Sequence, residues 1–235
     1  MSVALITGAS RGLGRVTALA LARRHWRLVI DARTRTDLAR IAGELHDAGA
    51  ADVLALSGSV AEHSHRVELE DVIEELGSLD VLVNNASLLG PSPQPRLADY
   101  PLDVLERVYA VNVMAPLALT QSLLPALRER SGRVVNVTSD AAVEPYEGWG
   151  GYGSSKAALE QWTAILGAEE PAVRVFAFDP GDMRTAMHQE AFPGDDISDR
   201  PEPDTVVPAL LRLIEDDLPS GRYRAAFLLQ EAVVA

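Results

Sequence analysis

Six short apolar runs punctuate the chain, at Val3–Ile6, 28–30, 53–56, 81–83, 134–137 and 173–178. Each is enriched in β-branched residues and bounded by Gly, Asp, Asn or Ser, the pattern of a strand buried on both faces. Between them lie helical stretches of about 12–20 residues, beginning near Gly12, Thr36, Ala61, Pro101, Gly151 and Asp204. A weaker run at 224–229 predicts a closing strand. Regular alternation of strand and helix predicts a parallel sheet with helices on both faces, a doubly wound α/β architecture. No break in composition marks a linker, so residues 1–235 read as one domain.

Two stretches escape the alternation. Residues 87–100 carry three prolines, and residues 182–203 mix Met, His, Phe, Gly, Pro and acids without clean periodicity. Both follow a strand, at the carboxyl edge where open α/β sheets bind ligands. Gly194, with Pro193, Pro201 and Pro203, breaks any long helix in the second stretch, which reads as a mobile lid over a substrate.

Composition narrows the classes. Hydrophobic residues make up 47% of the 235 and charged residues 23%, which excludes a disordered chain. The absence of cysteine removes disulfides, thiolate metal sites and a cysteine nucleophile. Twenty-one Lys and Arg against 34 Asp and Glu leave a formal net charge of −13, which disfavours nucleic acids and anionic membranes as partners. An anionic ligand would therefore need a local basic pocket. No apolar run approaches the ~20 residues of a membrane span. The first six residues lack the basic flank and cleavage site of a signal peptide. A soluble cytoplasmic protein is expected.

The first strand leads directly into Thr7-Gly8-Ala9-Ser10-Arg11-Gly12-Leu13-Gly14, which opens the first helix. Glycines there permit a tight turn and close backbone approach to a pyrophosphate, and the helix N-terminus supplies N–H donors. Farther on, Tyr152 and Lys156 stand at i and i+4, one helical turn apart. An ammonium beside a phenol favours the phenolate, so Lys156 is expected to lower the pKa of Tyr152. Tyr146 has Gly150 at the same offset and so no such partner. Ser139 follows the fifth run and offers a hydroxyl at the sheet edge, either to a substrate carbonyl or to a turn cap. Asn112 lies in a helix that wants apolar residues, as a packing polar group or a water-holding relay.

Taken together, the Thr-Gly-x-x-x-Gly-x-Gly turn and the Asn112, Ser139, Tyr152, Lys156 set resemble the short-chain dehydrogenase/reductase family. Asn84-Asn85-Ala86 after the fourth run and Pro180-Gly181 with Thr185 after the sixth extend the likeness over nearly the whole chain. The resemblance implies a Rossmann-type domain whose seven-stranded sheet has order 3-2-1-4-5-6-7. It implies reversible hydride transfer between a nicotinamide and a carbonyl or alcohol. Tyr152 would exchange the proton, Ser139 orient the carbonyl, Lys156 hold the ribose and Asn112 support a proton relay. The implied cofactor ligands are Gly8, Ser10, Arg11, Gly12, Leu13, Gly14, Arg33, Asn85, Tyr152, Lys156, Pro180, Gly181 and Thr185. A homodimer or homotetramer would be usual. Three positions depart from the family pattern: Ser87 replaces a glycine, Ser59 replaces an adenine-contacting Asp, and the region after Tyr223 lacks a glycine-rich ending.

The second run ends Asp31-Ala32-Arg33. By the resemblance the nucleotide-selecting position falls on Ala32, while Arg33 and Arg11 match ligands of a 2′-phosphate. Asp31, one position early, should point to the opposite face of the strand. NADP(H) is therefore expected over NAD(H). His63 and His65 diverge by about 200° on a helix, so they read as surface residues and no metal is expected. Asp195-Asp196 and Asp216-Asp217 read as solvated faces. Leu88, Trp149, Met183, Met187 and Phe192 are candidates to contact an apolar substrate. The rival reading is a non-catalytic NADP(H)-binding sensor, which would be expected to lack the Tyr152–Lys156 pair.

Overall fold

Alternation along each strand divides the core in two. Leu5, Val29, Leu82, Val134 and Val175 face one side of the sheet, and Ile6, Ile30, Val83, Val135 and Phe176 the other, all buried. The strands are β1 (Val3–Ile6), β2 (Arg27–Ala32), β3 (Asp52–Ser57), β4 (Val81–Asn84), β5 (Arg133–Val137), β6 (Arg174–Asp179) and β7 (Gly221–Arg224). They form one parallel sheet in the order β3-β2-β1-β4-β5-β6-β7. The computed structural model describes the backbone of residues 1–234 and the side chains through residue 230.

Helices cover both faces, as parallel strands require. On one side α1 (Gly12–Ala22), α2 (Arg35–Asp47) and α8 (Val207–Glu215) supply Leu21, Leu38, Ile41, Leu210 and Leu213. On the other, α3 (His63–Leu76) and α5 (Ala115–Glu129) supply Leu69, Ile73, Leu119, Leu123 and Leu127. Phe176 and Phe178 are fully buried, and truncating either to Ala would cost about 3–5 kcal/mol.

Two sequence expectations change. The chain beyond β7 forms α9 (Ala225–Val234) in place of a strand at 224–229. Ala225 and Leu228 are both buried, and their i, i+3 spacing is helical; a short apolar run does not distinguish the two periods. Second, α4 (Leu102–Tyr109) runs through a π turn at Ala110–Met114 into α5. The resulting stretch Leu102–Glu129 is long and apolar enough to cross a membrane by length and composition, although half of its most apolar window is buried in this fold. Charged Asp103, Glu106 and Arg107 in its first turns hide it from a search for uninterrupted apolar runs. Residues 182–203 contain one short helix, α7 (Ala186–Ala191), capped by the Thr185 hydroxyl accepting from the His188 N–H at 3.1 Å. The catalytic-residue candidates Tyr152 and Lys156 lie on α6 (Gly150–Glu169).

Candidate active site

The glycine-rich turn is built by close approach. Gly8 has φ +65°, and a Cβ there would lie 2.9 Å from the Ala86 Cα. A Cβ on Gly14 would lie 2.6 Å from the Gly8 carbonyl oxygen, so Gly14 lets α1 pack on the turn. Thr7 and Asn85 brace the turn from β4. The Thr7 hydroxyl accepts from the Asn85 and Ala86 N–H groups, each at 3.0 Å, and the Asn85 amide donates to the Thr7 carbonyl at 2.8 Å. The first turn of α1 carries no acid and no side-chain cap, leaving its N–H donors open to an anion.

A continuous cavity of about 740 Å³ runs along the carboxyl edge of the sheet. Its wall includes Gly8, Ser10, Arg11, Gly12, Leu13, Arg33, Asn85, Ser139, Tyr152, Lys156, Pro180, Gly181 and Thr185. Leu88, Trp149, Met183, Met187 and Phe192 line it as well. Gly14 and Asn112 do not reach the wall. A volume of this size, a turn that a Cβ would fill and an uncapped helix N-terminus fit a dinucleotide.

Tyr152 is 8% exposed, and the Lys156 nitrogen lies 5.4 Å from its ring centroid. That nitrogen donates to the Val137 carbonyl at 2.8 Å. Burial reverses the expected titration. It pushes the Tyr152 phenol well above its ordinary 10; Ser87 pulls it down, and Asp179 and Asp140 push it further up. Burial also pushes Lys156 from 10.5 to about 7, against the opposing pull of Glu160. Two desolvated groups at this separation are governed by loss of water more than by each other.

Ser139 caps the turn at Asp140–Ala142 while facing the cavity. Its hydroxyl accepts from the Ala141 N–H at 3.2 Å and donates to Asp140 Oδ1 at 3.0 Å. The other Asp140 oxygen accepts from the Tyr146 hydroxyl at 3.0 Å. Asn112, in the π turn, is fully engaged. Its oxygen accepts from the Leu88 N–H at 2.8 Å, and its amide donates to the Leu88 carbonyl at 2.9 Å and the Ser155 hydroxyl at 3.0 Å. The side chain thus pins the loop after β4 to the helix that bears Tyr152 and Lys156.

Sequence reasoning missed a buried couple beneath the glycine turn. Asp31 lies opposite Ala32 on the strand, as expected, and this brings it against α3. Asp31 Oδ1 accepts from the Gly8 N–H at 2.7 Å, and Oδ2 pairs with His65 Nε2 at 3.1 Å. His65 is only 3% exposed, so of the two histidines only His63 is a surface residue. A fully polar helix start at 62–66 gave no sign of which histidine turns inward. Behind the other end of the cavity, Glu160 accepts from the Thr138 hydroxyl at 2.7 Å and from Arg222, which also reaches Asp179 at 3.0 Å. Among the described residues no cluster suited to a metal ion occurs.

A family profile described as short chain dehydrogenase matches residues 2–196. Benzil reductase ((S)-benzoin forming) of Bacillus subtilis (strain 168) is 33% identical, over 94% of this chain and 97% of its own. Sepiapterin reductase of Mus musculus is 33% identical, over 81% of this chain and 77% of its own. A short chain dehydrogenase from Shigella flexneri, solved in complex with NADP, superposes with a TM-score of 0.89 at 28% identity, covering 96% of this chain and 97% of that one. The chain belongs to the short-chain dehydrogenase/reductase family of oxidoreductases.

Proposed function

We propose that this chain transfers a hydride between NADP(H), taken in preference to NAD(H), and a carbonyl or alcohol, with Tyr152 as the acid and base. One observation carries the reading: Arg33 at the carboxyl end of β2 and Ser139 at that of β5 border one cavity. Those strands are three spacings apart, about 14 Å, a distance suited to a dinucleotide lying across the sheet. Arg11 and Arg33, at the nucleotide end, have no carboxylate partner among the described residues. A guanidinium so placed favours a 2′-phosphate.

A bound nicotinamide supplies or accepts the hydride. The chain manages the proton and the geometry. Burial keeps the Tyr152 phenol protonated at neutral pH, ready to donate to a carbonyl oxygen. The Ser139 hydroxyl turns from Asp140 to the same oxygen and orients it. Burial disfavours the ammonium form of Lys156, and where that form is present beside the phenol it eases proton loss from Tyr152. Asn112 holds the loop at Leu88 and helix α6 in register and so serves as a brace of the site.

The substrate end favours an apolar, aromatic compound. Trp149 packs edge-on to Tyr152 at 5.8 Å and tilts against Phe192 at 5.9 Å, with Met183 and Met187 beside them. Residues 182–203 act as a lid over this wall, and the chain works in the cytoplasm as a homodimer or homotetramer. The test is NADPH oxidation with benzil, an aliphatic aldehyde, a quinone and a 3-oxo acid. Turnover with the aromatic dicarbonyl, faster with NADPH than NADH, is expected. NADPH binding without turnover of any carbonyl would favour a non-catalytic sensor.

A further inference from the structure

The cavity wall contains a carboxylate where a nucleotide phosphate would be unwelcome. Asp31 lines the same cavity as Arg11 and Arg33, at the end of β2, and is 1% exposed. NADP differs from NAD by a 2′-phosphate, so any uncompensated negative charge here discriminates against NADP by simple repulsion. Both Asp31 oxygens are taken, one by the Gly8 N–H and one by His65 Nε2. The carboxylate is thus engaged toward Gly8 and α3 and presents no oxygen without a partner to the ribose hydroxyls, the use that would favour NAD.

His65 is held behind Asp31, outside the cavity wall. Gly58 makes room for it: a Cβ there would lie 2.2 Å from the imidazole Nδ1. Two carboxylates face the ring, Asp31 from β2 at 3.1 Å and Glu68 from its own helix at 3.5 Å. Asp31 foremost raises the imidazole above its ordinary 6.5, with burial opposing. A buried carboxylate without a partner would be costly, and a protonated imidazole makes the couple neutral.

We propose that His65 is a positioning residue for nucleotide selection, cancelling the Asp31 charge in the cavity wall and so admitting the 2′-phosphate of NADP. This deepens the cofactor reading above and rests on it. His65 acts through Asp31 and touches no ligand itself. The same couple fixes the Gly8 N–H, so the glycine turn and the charge seen by the phosphate share one support.

The test is a set of dissociation constants for NADPH and NADH, measured by calorimetry. His65→Gln keeps a donor toward Asp31 but removes the positive charge. It is expected to weaken NADPH by about tenfold, the scale of one partly screened charge, and NADH less than twofold. Adding Asp31→Asn to that variant is expected to bring the NADH-to-NADPH ratio back within twofold of wild type. Equal weakening of both nucleotides, or an unmoved ratio, would overturn the proposal. Should His65→Gln fail to fold, Asp31→Asn alone decides: a ratio within twofold of wild type supports it, because the charge removed was already cancelled, and a shift of about tenfold toward NADPH, the mark of an uncancelled charge, or any such shift toward NADH overturns it. A wild type that binds NADH more tightly would end the NADP(H) preference, while the change of ratio in His65→Gln would still report the role of His65.

Discussion

The Lys156 ammonium is aimed past Tyr152, lying 5.4 Å from the ring centroid while it donates to the Val137 carbonyl at 2.8 Å. The pair is thus a buried donor held on the backbone of β5 beside a buried phenol. Each disfavours its own charged form by loss of water, Lys156 being pushed down to about 7 and Tyr152 up. A site of this kind is costly to fold and useful in chemistry.

That cost has a sign. A lysine whose folded pKa is depressed binds its proton more weakly in the native than in the unfolded state. The resulting destabilisation is complete below about 7 and fades as pH rises toward 10.5. Lys156→Met should therefore raise Tm by several degrees at pH 6 and by much less at pH 10, while turnover is lost. Melting curves at the two pH values check it; a variant less stable at pH 6 contradicts it.

Arg33 should act on one nucleotide only. Removing a charge-assisted phosphate contact costs about 1.5–3 kcal/mol, so Arg33→Ala should weaken NADPH by at least tenfold and leave NADH within twofold. Titration of both nucleotides against both proteins reads this directly. Equal losses would remove Arg33 from nucleotide selection.

Asn112→Ala should act on stability and positioning together. It leaves the Leu88 N–H and carbonyl without their partner, a loss of about 1–3 kcal/mol. Denaturant unfolding measures that loss. Turnover should fall while NADPH affinity changes little, because Asn112 is off the cavity wall. A variant of unchanged stability would contradict the bracing role.

The segment 182–203 is bonded largely to itself: the Arg184 N–H donates to the Pro201 carbonyl at 2.8 Å and Arg200 pairs with Asp182 at 3.3 Å, while the Ser92 hydroxyl ties it to the rest of the fold through the Glu190 carbonyl at 2.6 Å. A lid so held should exchange its amide hydrogens quickly when empty and slowly with NADPH and a carbonyl analogue bound. Slow exchange in every state would make it a fixed wall.

Local chemistry was legible in the sequence where it is local in the chain. The glycine turn occupies eight consecutive residues, and Tyr152 and Lys156 share one helical turn, so both could be read from spacing. The strand order came from the family likeness, since periodicity alone does not order a sheet. Contacts across sequence were not legible: nothing in the 34-residue separation of Asp31 and His65 announces their pairing. Burial was hidden too, which is why Tyr152 shifts opposite to the expectation built on charge alone. The run at 224–229 failed for another reason, because five or six apolar residues suit a buried strand and a buried helix equally.

The Tyr152 hydroxyl is the group on which proton transfer depends. Tyr152→Phe removes one oxygen and leaves the ring packed against Trp149. Single-turnover oxidation of bound NADPH by an accepted carbonyl should slow by at least 10²-fold, with the dissociation constant for NADPH within about threefold of wild type. A Phe variant that still oxidises NADPH at the wild-type rate would contradict the assignment of the proton to Tyr152.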